Sequence, residues 1–359
     1  MAITFDHLWP RVVAWENLLL AYTQARRGKR ARPDVARFEA HREQELLLLR
    51  DELRSGSWTP GGYRHFTIRR PKERVISAAP FRDRVVHHAV VHVIEPLFER
   101  RFSFDSYACR VGKGTHRAVC RAARFLRSRA FVLQADVRKF FPSIDHEVLL
   151  GVVGRTVRDE RVLDLLRRIL ASGVGIPGGE GPPVYDLSDP APLFAPLRPR
   201  GLPIGNLTSQ FLANVLLDVL DHEVSERIGC RGYVRYCDDF LVFDDDRDRL
   251  RATRAAIESL LRRLRLEVHP NETFVKPTSV GVDFLGYRIR REGIRLLPAS
   301  ISRANARLGV QARALRAGHA ARGDVRASVV SWRAHTLHAN ATALRETLLA
   351  RHRLAGLVS

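Results

Sequence analysis

Lysine and sulfur are scarce in this chain. Of its 60 cationic residues only five are lysine, and its 359 residues include one methionine and four cysteines. Cys109, Cys120, Cys230 and Cys237 form no CxxC pair. That excludes a zinc knuckle and a disulfide framework and fits a reducing compartment, with the four read as ordinary buried thiols. No stretch approaches the roughly 18 consecutive apolar residues a membrane span requires, and the N-terminus lacks the basic-then-apolar order of a signal peptide. A soluble cytoplasmic protein without a membrane partner is therefore expected. Carboxylates are also in the minority, 39 against 60 cations, which leaves a formal charge of +21. A GC-rich coding sequence accounts for arginine over lysine but not for the excess of cations, which points to a polyanionic partner, most often nucleic acid. With 45% hydrophobic residues the chain can bury a real core, so a disordered basic tail is excluded.

Apolar spacing predicts helix over residues 11–55, a strand pair with a basic turn over 64–76, and a helix from Arg82 to Phe98. A short apolar strand, 131–135, ends abruptly in Asp136, and Asp145 is placed to cap the helix that follows. Residues 171–203 carry most of the loop signals and read as a long irregular connection, of the kind that is often functional. An amphipathic helix opened by Asn206 runs to 222, and 232–243 reads as a hairpin interrupted by Asp238–Asp239. An Arg-rich helix over 247–266, a short strand pair over 282–297 and a helical tail over 300–355 complete the chain. No period of 20 to 50 residues repeats.

Strand, helices, hairpin, helix is the order of a split βαβ or ferredoxin-like unit, which brings carboxylates from distant segments to one sheet end. Asp136, Asp238 and Asp239 are the candidates. Packed together they would repel and raise one another's pKa unless a cation neutralised them, and hard divalent ions with oxygen ligands do this. His88 and His92 have the spacing of a zinc helix but lack the glutamate of HExxH, and Gly112–Thr115 lacks the first glycine of a phosphate-binding loop. Neither is taken as a site.

Tyr236–Cys237–Asp238–Asp239 resembles the YxDD box of reverse transcriptases, and the surrounding motifs follow in that family's order. Asp136 with Phe140–Phe141 resembles the strand bearing the first metal ligand. Gly201–Asn206, continuing to Ser209–Gln210, resembles the helix-opening motif beside template and nucleotide. Phe284–Leu285–Gly286–Tyr287 resembles the primer grip, and the segments around 71–74, 83–86 and 106–116 resemble fingers motifs of bacterial retroelement enzymes.

The resemblance implies an α+β right-hand polymerase with a ferredoxin-like (RRM-like) palm, mixed α/β fingers and a helical thumb. Its divisions would be an N-terminal helical extension over 1–60, fingers over 61–130, palm over 131–298 and thumb over 299–359. It implies that Asp136, Asp238 and Asp239 are catalytic and ligate two Mg²⁺, with Mn²⁺ as an alternative. Asp239 would play the supporting part, because neighbours on a strand point to opposite faces. Lys72 and Arg74 would pair with the dNTP triphosphate, Phe141 would exclude a ribose 2′-hydroxyl, and Ile204, Gly205 and Gln210 would line the nucleotide and template base. The partners implied are template RNA, a primer or cDNA strand and dNTPs. Glu272 follows His269–Pro270–Asn271 where many relatives have a lysine, so the general acid for pyrophosphate stays unassigned between Lys276, His269 and water.

GLPIGNLTSQ and Ser331–Trp332 with His335 and His338–Ala339 look most like the enzymes of diversity-generating retroelements, which copy RNA with frequent errors opposite adenine and work with a small basic accessory protein. No maturase, DNA-binding or endonuclease extension is expected beyond the helical tail, which weighs against a full intron protein. Defence-associated or group II intron-derived enzymes are the alternative, and a catalytically silent RNA-binding scaffold is the alternative of another class. Charge by segment agrees with a nucleic-acid clamp. Residues 1–150 carry a net +12 and 251–359 a net +13, whereas 201–250, which hold the YxDD box, carry −5.

Overall fold

A computed structural model describes residues 3–69, 73–176, 184 and 192–357. The N-terminal region is helical, with breaks: α1 (Trp9–Val12), α2 (Trp15–Ala25), α3 (Pro33–Ala40) and α4 (Arg42–Ser55). Gly56, at φ +76, ends α4 in the left-handed conformation that favours glycine. A two-stranded ribbon follows, β1 (Arg64–Ile68) and β2 (Arg74–Ala78), paired antiparallel with Phe66 opposite Ile76. Then come α5 (Phe81–Glu99) and α6 (Thr115–Ser128). The first four helices are not a separate body: Leu18, Ala21 and Tyr22 of α2 are buried in the same core as Val85, Val86 and Ala89 of α5.

The central sheet consists of β3 (Phe131–Asp136), β4 (Gly232–Tyr236), β5 (Asp239–Asp244) and β6 (Phe274–Pro277). All pairs are antiparallel, in the order β4-β5-β3-β6. Between β3 and β4 lie α7 (Phe140–Ser143), α8 (His146–Gly154), α9 (Glu160–Ala171) and α10 (Leu207–His222), and α11 (Arg247–Arg263) joins β5 to β6. This is the ferredoxin-like order expected of a polymerase palm.

Alternation along the strands splits the core in two. Leu133, Ala135, Tyr233, Phe240 and Val242 pack with the buried sides of α10 and α11. Val132, Val234, Leu241 and Phe243 face α6 and a second sheet. That second sheet corrects the expected strand pair. It is a three-stranded meander of β7 (Val282–Phe284), β8 (Tyr287–Arg290) and β9 (Gly293–Leu296). Three helices end the chain, α12 (Pro298–Arg316), α13 (Arg322–Thr336) and α14 (Thr342–His352), around their own core of Leu308, Val329 and Trp332.

Two further expectations are corrected. Helix α10 is not amphipathic. Thr208, Ser209 and Asn214 are buried along with Phe211, Leu212 and Val215, because α5, α8 and the sheet enclose the helix. Of the four free cysteines only Cys230 is buried; Cys237 is half-buried, and Cys109 and Cys120 are exposed. Asp145 caps α8 as expected, accepting from the backbone N–H of Glu147 and Val148 at 3.0 and 3.1 Å. Asn206 opens α10 without capping it; its Oδ1 accepts instead from Ala79 N–H at 3.4 Å, which ties the helix start to the end of β2. Of the expected loop 171–203, residues 177–183 and 185–191 lie outside the described residues; Pro192–Leu197 form a 3₁₀ turn. Among the described residues no helix is long and apolar enough to cross a membrane.

Candidate active site

The three aspartates meet at one end of the central sheet. Asp136 is the last residue of β3, and its cross-strand partner is Asp239, the first of β5. Directly opposed residues of an antiparallel pair share a face, so both belong to the side turned away from α10 and α11. Asp238 is not on a strand at all. Tyr236 pairs with Asp239, which leaves Cys237–Asp238 as a two-residue turn whose first residue has φ +59. The premise that Asp238 and Asp239 alternate as neighbours on one strand is thus corrected: Asp238 is a turn residue, and register puts Asp239 on the face of Asp136.

The end of β3 is clamped from both sides. The Val137 N–H donates to the Asp238 carbonyl at 3.2 Å, and the His269 N–H donates to the Asp136 carbonyl at 2.7 Å. All three carboxylates are half-buried. Burial pushes the Asp238 carboxyl above its ordinary range, against the opposing pull of a backbone N–H, the Cys237 side chain and the charges of Arg74 and Arg235. Arg74 stands at the start of β2. Lys72 lies outside the described residues.

The other expected residues are held by contacts of their own. Phe140 is buried and Phe141 is half-buried, their rings meeting edge-on at 5.5 Å. The Leu202 N–H donates to the Phe141 carbonyl at 2.8 Å, and the Ser77 N–H to the Ile204 carbonyl at 3.0 Å, so the Gly201–Asn206 stretch bridges α7 and β2. Gly205 has φ +117, and a Cβ there would lie 2.9 Å from Cγ2 of Ile76. The close approach that demands glycine is to β2. Gln210 is exposed and lines a cavity of about 220 Å³ with Lys29, Arg84, His87 and His88.

The four residues expected to form a primer grip divide. Phe284 and Tyr287 are cross-strand partners, 1% and 0% exposed, and the Tyr287 hydroxyl bonds Nδ1 and the carbonyl of His335, both at 2.8 Å. Leu285 and Gly286, at φ +51 and +87, form the turn and are half-buried. Of the candidate acids, Lys276 reaches Gln134 Oε1 at 3.3 Å, and burial lowers its pKa. The Nδ1 of His269 is buried without a partner.

Sequence reading missed Arg235, the residue before the YxDD box. Its side chain is 0% exposed and ion-paired with Asp221 of α10 at 2.6 Å. In a chain with 55 arginines one more gave no signal; the sign to follow was a charge inside an otherwise apolar strand.

A ferredoxin-like sheet with a Cys237–Asp238 hairpin turn beside the end of its first strand, where Asp136 and Asp239 oppose each other, is the palm of a nucleic-acid polymerase of the right-hand type. The family model described as reverse transcriptase (RNA-dependent DNA polymerase) matches residues 68–289, more than half of the chain. The chain belongs to this family, whose members are nucleotidyltransferases that make DNA on RNA. It is 26% identical over 298 residues to protein YkfC of Escherichia coli, covering 70% of this chain and 72% of that protein. It is 23% identical over 182 residues to the group II intron-encoded protein LtrA of Lactococcus lactis, covering 50% of this chain and 28% of LtrA. Among solved structures, apo telomerase from Candida tropicalis is similar over 68% of this chain and 50% of that one, with 10% identity and a TM-score of 0.49.

Reverse transcriptases use divalent metal ions such as Mg²⁺. Among the described residues no group of three or more His, Cys, Asp or Glu could hold an ion by itself. The donor set nevertheless fits Mg²⁺, which takes one or two carboxylates and completes its shell with substrate phosphates and water.

Proposed function

We propose that this protein copies an RNA template into cDNA by two-metal nucleotidyl transfer and serves a diversity-generating retroelement. The observation that carries the polymerase reading is the convergence of Asp136, Asp239 and the Asp238 turn at one sheet end. In the reaction the primer 3′-hydroxyl loses its proton and attacks the α-phosphorus of a dNTP, and pyrophosphate leaves. Two Mg²⁺ ions, or Mn²⁺ in their place, supply charge neutralisation for the attacking and leaving oxygens. Asp136 and Asp238 hold that charge in place, with Asp239 in support. Positioning and electrostatics do the remaining work, because phosphoryl transfer asks little covalent chemistry of the protein.

The other roles follow the fold. Residues 61–130 act as fingers, with Arg74 and Lys72 pairing the triphosphate. Residues 131–298 act as palm, where Phe141 crowds a ribose 2′-hydroxyl and Ile204, Gly205 and Gln210 border the base pair. The turn at Leu285–Gly286 steadies the primer end, its flanking Phe284 and Tyr287 anchoring it from within. Residues 299–359 act as thumb, and the 1–60 helices buttress the fingers. The partners are template RNA, primer and dNTPs, with a small basic accessory protein. The GLPIGNLTSQ signature favours the diversity-generating role with mutagenic copying; similarity to LtrA favours an intron-derived enzyme as second reading, although the chain spans under a third of that protein.

The test is primer extension on an RNA template with purified protein, with Asp238→Asn as control. Wild-type extension that Asp238→Asn abolishes supports the reading. Equal signal from both misplaces the active site, and no signal from wild type leaves a silent RNA-binding scaffold. A neighbouring accessory gene with an imperfect template/variable repeat pair separates the diversity-generating role from the intron-derived and defence roles.

A further inference from the structure

Arg235 uses every donor it has. Nε and Nη2 donate to the two carboxylate oxygens of Asp221, each at 2.6 Å. Nη2 also donates to Ser106 Oγ at 3.0 Å, and Nη1 to Asn214 Oδ1 at 3.2 Å and to the Cys237 carbonyl at 3.0 Å. Those are the five N–H groups of a guanidinium, all satisfied with no exposed surface. The partners are themselves fixed. The Tyr233 hydroxyl donates to Asp221 Oδ1 at 2.7 Å, and Asn214 Nδ2 donates to the Ala108 carbonyl at 2.8 Å. The backbone of Arg235 is bracketed as well, its N–H donating to the Asp105 carbonyl and its carbonyl accepting from Tyr107, both at 2.9 Å.

Such a network is poor value as a stabiliser. A buried ion pair rarely beats well-packed apolar residues of the same volume, because two charges have left water. What it supplies is geometry, and one of its five bonds ends on the YxDD turn. Cys237, whose carbonyl takes that bond, sits at φ +59 without being glycine. A left-handed non-glycine residue persists only where its surroundings over-determine it. The guanidinium, held on the side of α10 and of the 105–108 segment, fixes the Cys237 peptide and hence the direction in which Asp238 leaves the turn.

We propose that Arg235 is a positioning residue for nucleotidyl transfer: braced by Asp221, Asn214 and Ser106, it sets the Cys237–Asp238 turn and thereby the place of Asp238 relative to Asp136 and Asp239. This rests on the polymerase reading above. It also makes the segment before α6 part of the active-site frame, since Ser106 and Ala108 belong to the same network.

The test compares wild type, Arg235→Lys and the double variant Arg235→Met with Asp221→Asn, all as full-length protein. The lysine keeps the charge but offers three donors from one point and cannot span Asp221 and the turn together. The double variant removes both charges, so no uncompensated carboxylate is left buried. Single-nucleotide incorporation on an RNA template with an annealed DNA primer gives kcat, KM for dNTP and the Mg²⁺ concentration for half-maximal rate. Hydrogen exchange of the 232–244 hairpin in metal-free protein gives a readout apart from activity. Displacement of a catalytic group by about an ångström predicts a fall in kcat of about 100-fold. With it we expect a rise in half-saturating Mg²⁺, little change in KM for dNTP and faster exchange at the turn. A residue that only stabilises the fold would lower Tm and leave the Mg²⁺ dependence alone. If either variant is folded with wild-type kcat, Mg²⁺ dependence and hairpin exchange, the positioning role is overturned. Asp238→Asn, run alongside, must be inactive; if it is not, the polymerase site itself has been misread.

Discussion

Asp136 and Asp239 face each other directly across β3 and β5 at the last register position of the palm sheet. Two carboxylates in direct opposition are a like-charge pair that a shared cation would convert into a joint ligand set. Asp136→Asn and Asp239→Asn should each lower nucleotide incorporation by about 10²-fold or more. Combined, they should lose little beyond the poorer single change, because groups that act as a unit are not additive. Steady-state incorporation rates of the two singles and the double complete the cycle. Fully multiplied losses would show that the two act on separate groups.

Gly205 gives a prediction about the frame rather than the chemistry. Its φ of +117 and the 2.9 Å separation between a built Cβ and Ile76 Cγ2 are two independent obstacles to a side chain. Gly205→Ala should cost about 1–3 kcal/mol in urea unfolding. Adding Ile76→Ala should not restore stability, because it relieves the contact and leaves the backbone conformation strained. Full recovery in the double variant would mean that the close approach alone required glycine.

The outcomes at these positions show what was legible in the sequence. The palm hairpin could be read because two apolar runs meet at a pair of aspartates, and alternation with an interruption is a local signal. Asp145 could be read as a cap because capping is local too. Asn206 has the same kind of capping side chain at a helix start, yet its Oδ1 goes to Ala79, 127 residues away in sequence; nothing nearby announces that. Polar residues such as Thr208, Ser209 and Asn214 made α10 look amphipathic, whereas all three are buried and Asn214 donates to the Ala108 carbonyl, 106 residues away. Arg235 and Asp221 are 14 residues apart and belong to a strand and a helix. Only the packing of one on the other reveals their pairing.

His222 predicts a pH dependence of stability. It lies one turn from Asp218 and one turn from Glu226, with Nδ1 2.7 Å from Glu226 and Nε2 3.3 Å from Asp218. Chiefly through the Asp218 hydrogen bond, its pKa is raised from 6.5 to about 9. A histidine whose folded pKa is raised contributes stability that is fully present below its unfolded value and is lost as the pH rises through the folded one. His222→Gln should therefore destabilise the protein most below about pH 6.5 and least above about pH 9. Because the ring is 36% exposed, solvent screening holds the effect to under about 1 kcal/mol. Urea denaturation across that range is the measurement, and a constant difference would remove the charge from the account.

If Ile204 borders the nucleotide as proposed, it bears on fidelity. Its carbonyl is engaged by the Ser77 N–H at 3.0 Å, which ties the backbone to β2 whatever the side chain is. A side-chain change there leaves the tie in place. If mutagenic copying arises from an apolar contact that cannot discriminate by hydrogen bonding, Ile204→Gln should reduce errors opposite template adenine. The reduction should be several-fold, since a single polar contact is worth about 1 kcal/mol. Sequencing cDNA from both proteins on one template reads this out. An unchanged adenine error rate would sink the idea.

The helical tail supplies charge where the palm has least. Residues 299–359 contain ten arginines and two carboxylates, whereas 201–250 are net acidic. Arg303 and Arg307 are exposed on α12 and four residues apart, which places them on one side of the helix. A template–primer duplex against that side would exchange condensed counterions for guanidinium groups, so its affinity should fall steeply with salt. Replacing both arginines by alanine should weaken binding equally for unrelated sequences. It should also make the slope of log affinity against log salt shallower by about one to two units, roughly one for each phosphate left without its guanidinium. Weaker binding with an unchanged slope would mean that the two side chains act by packing rather than by charge, and sequence-dependent losses would mean that they read bases.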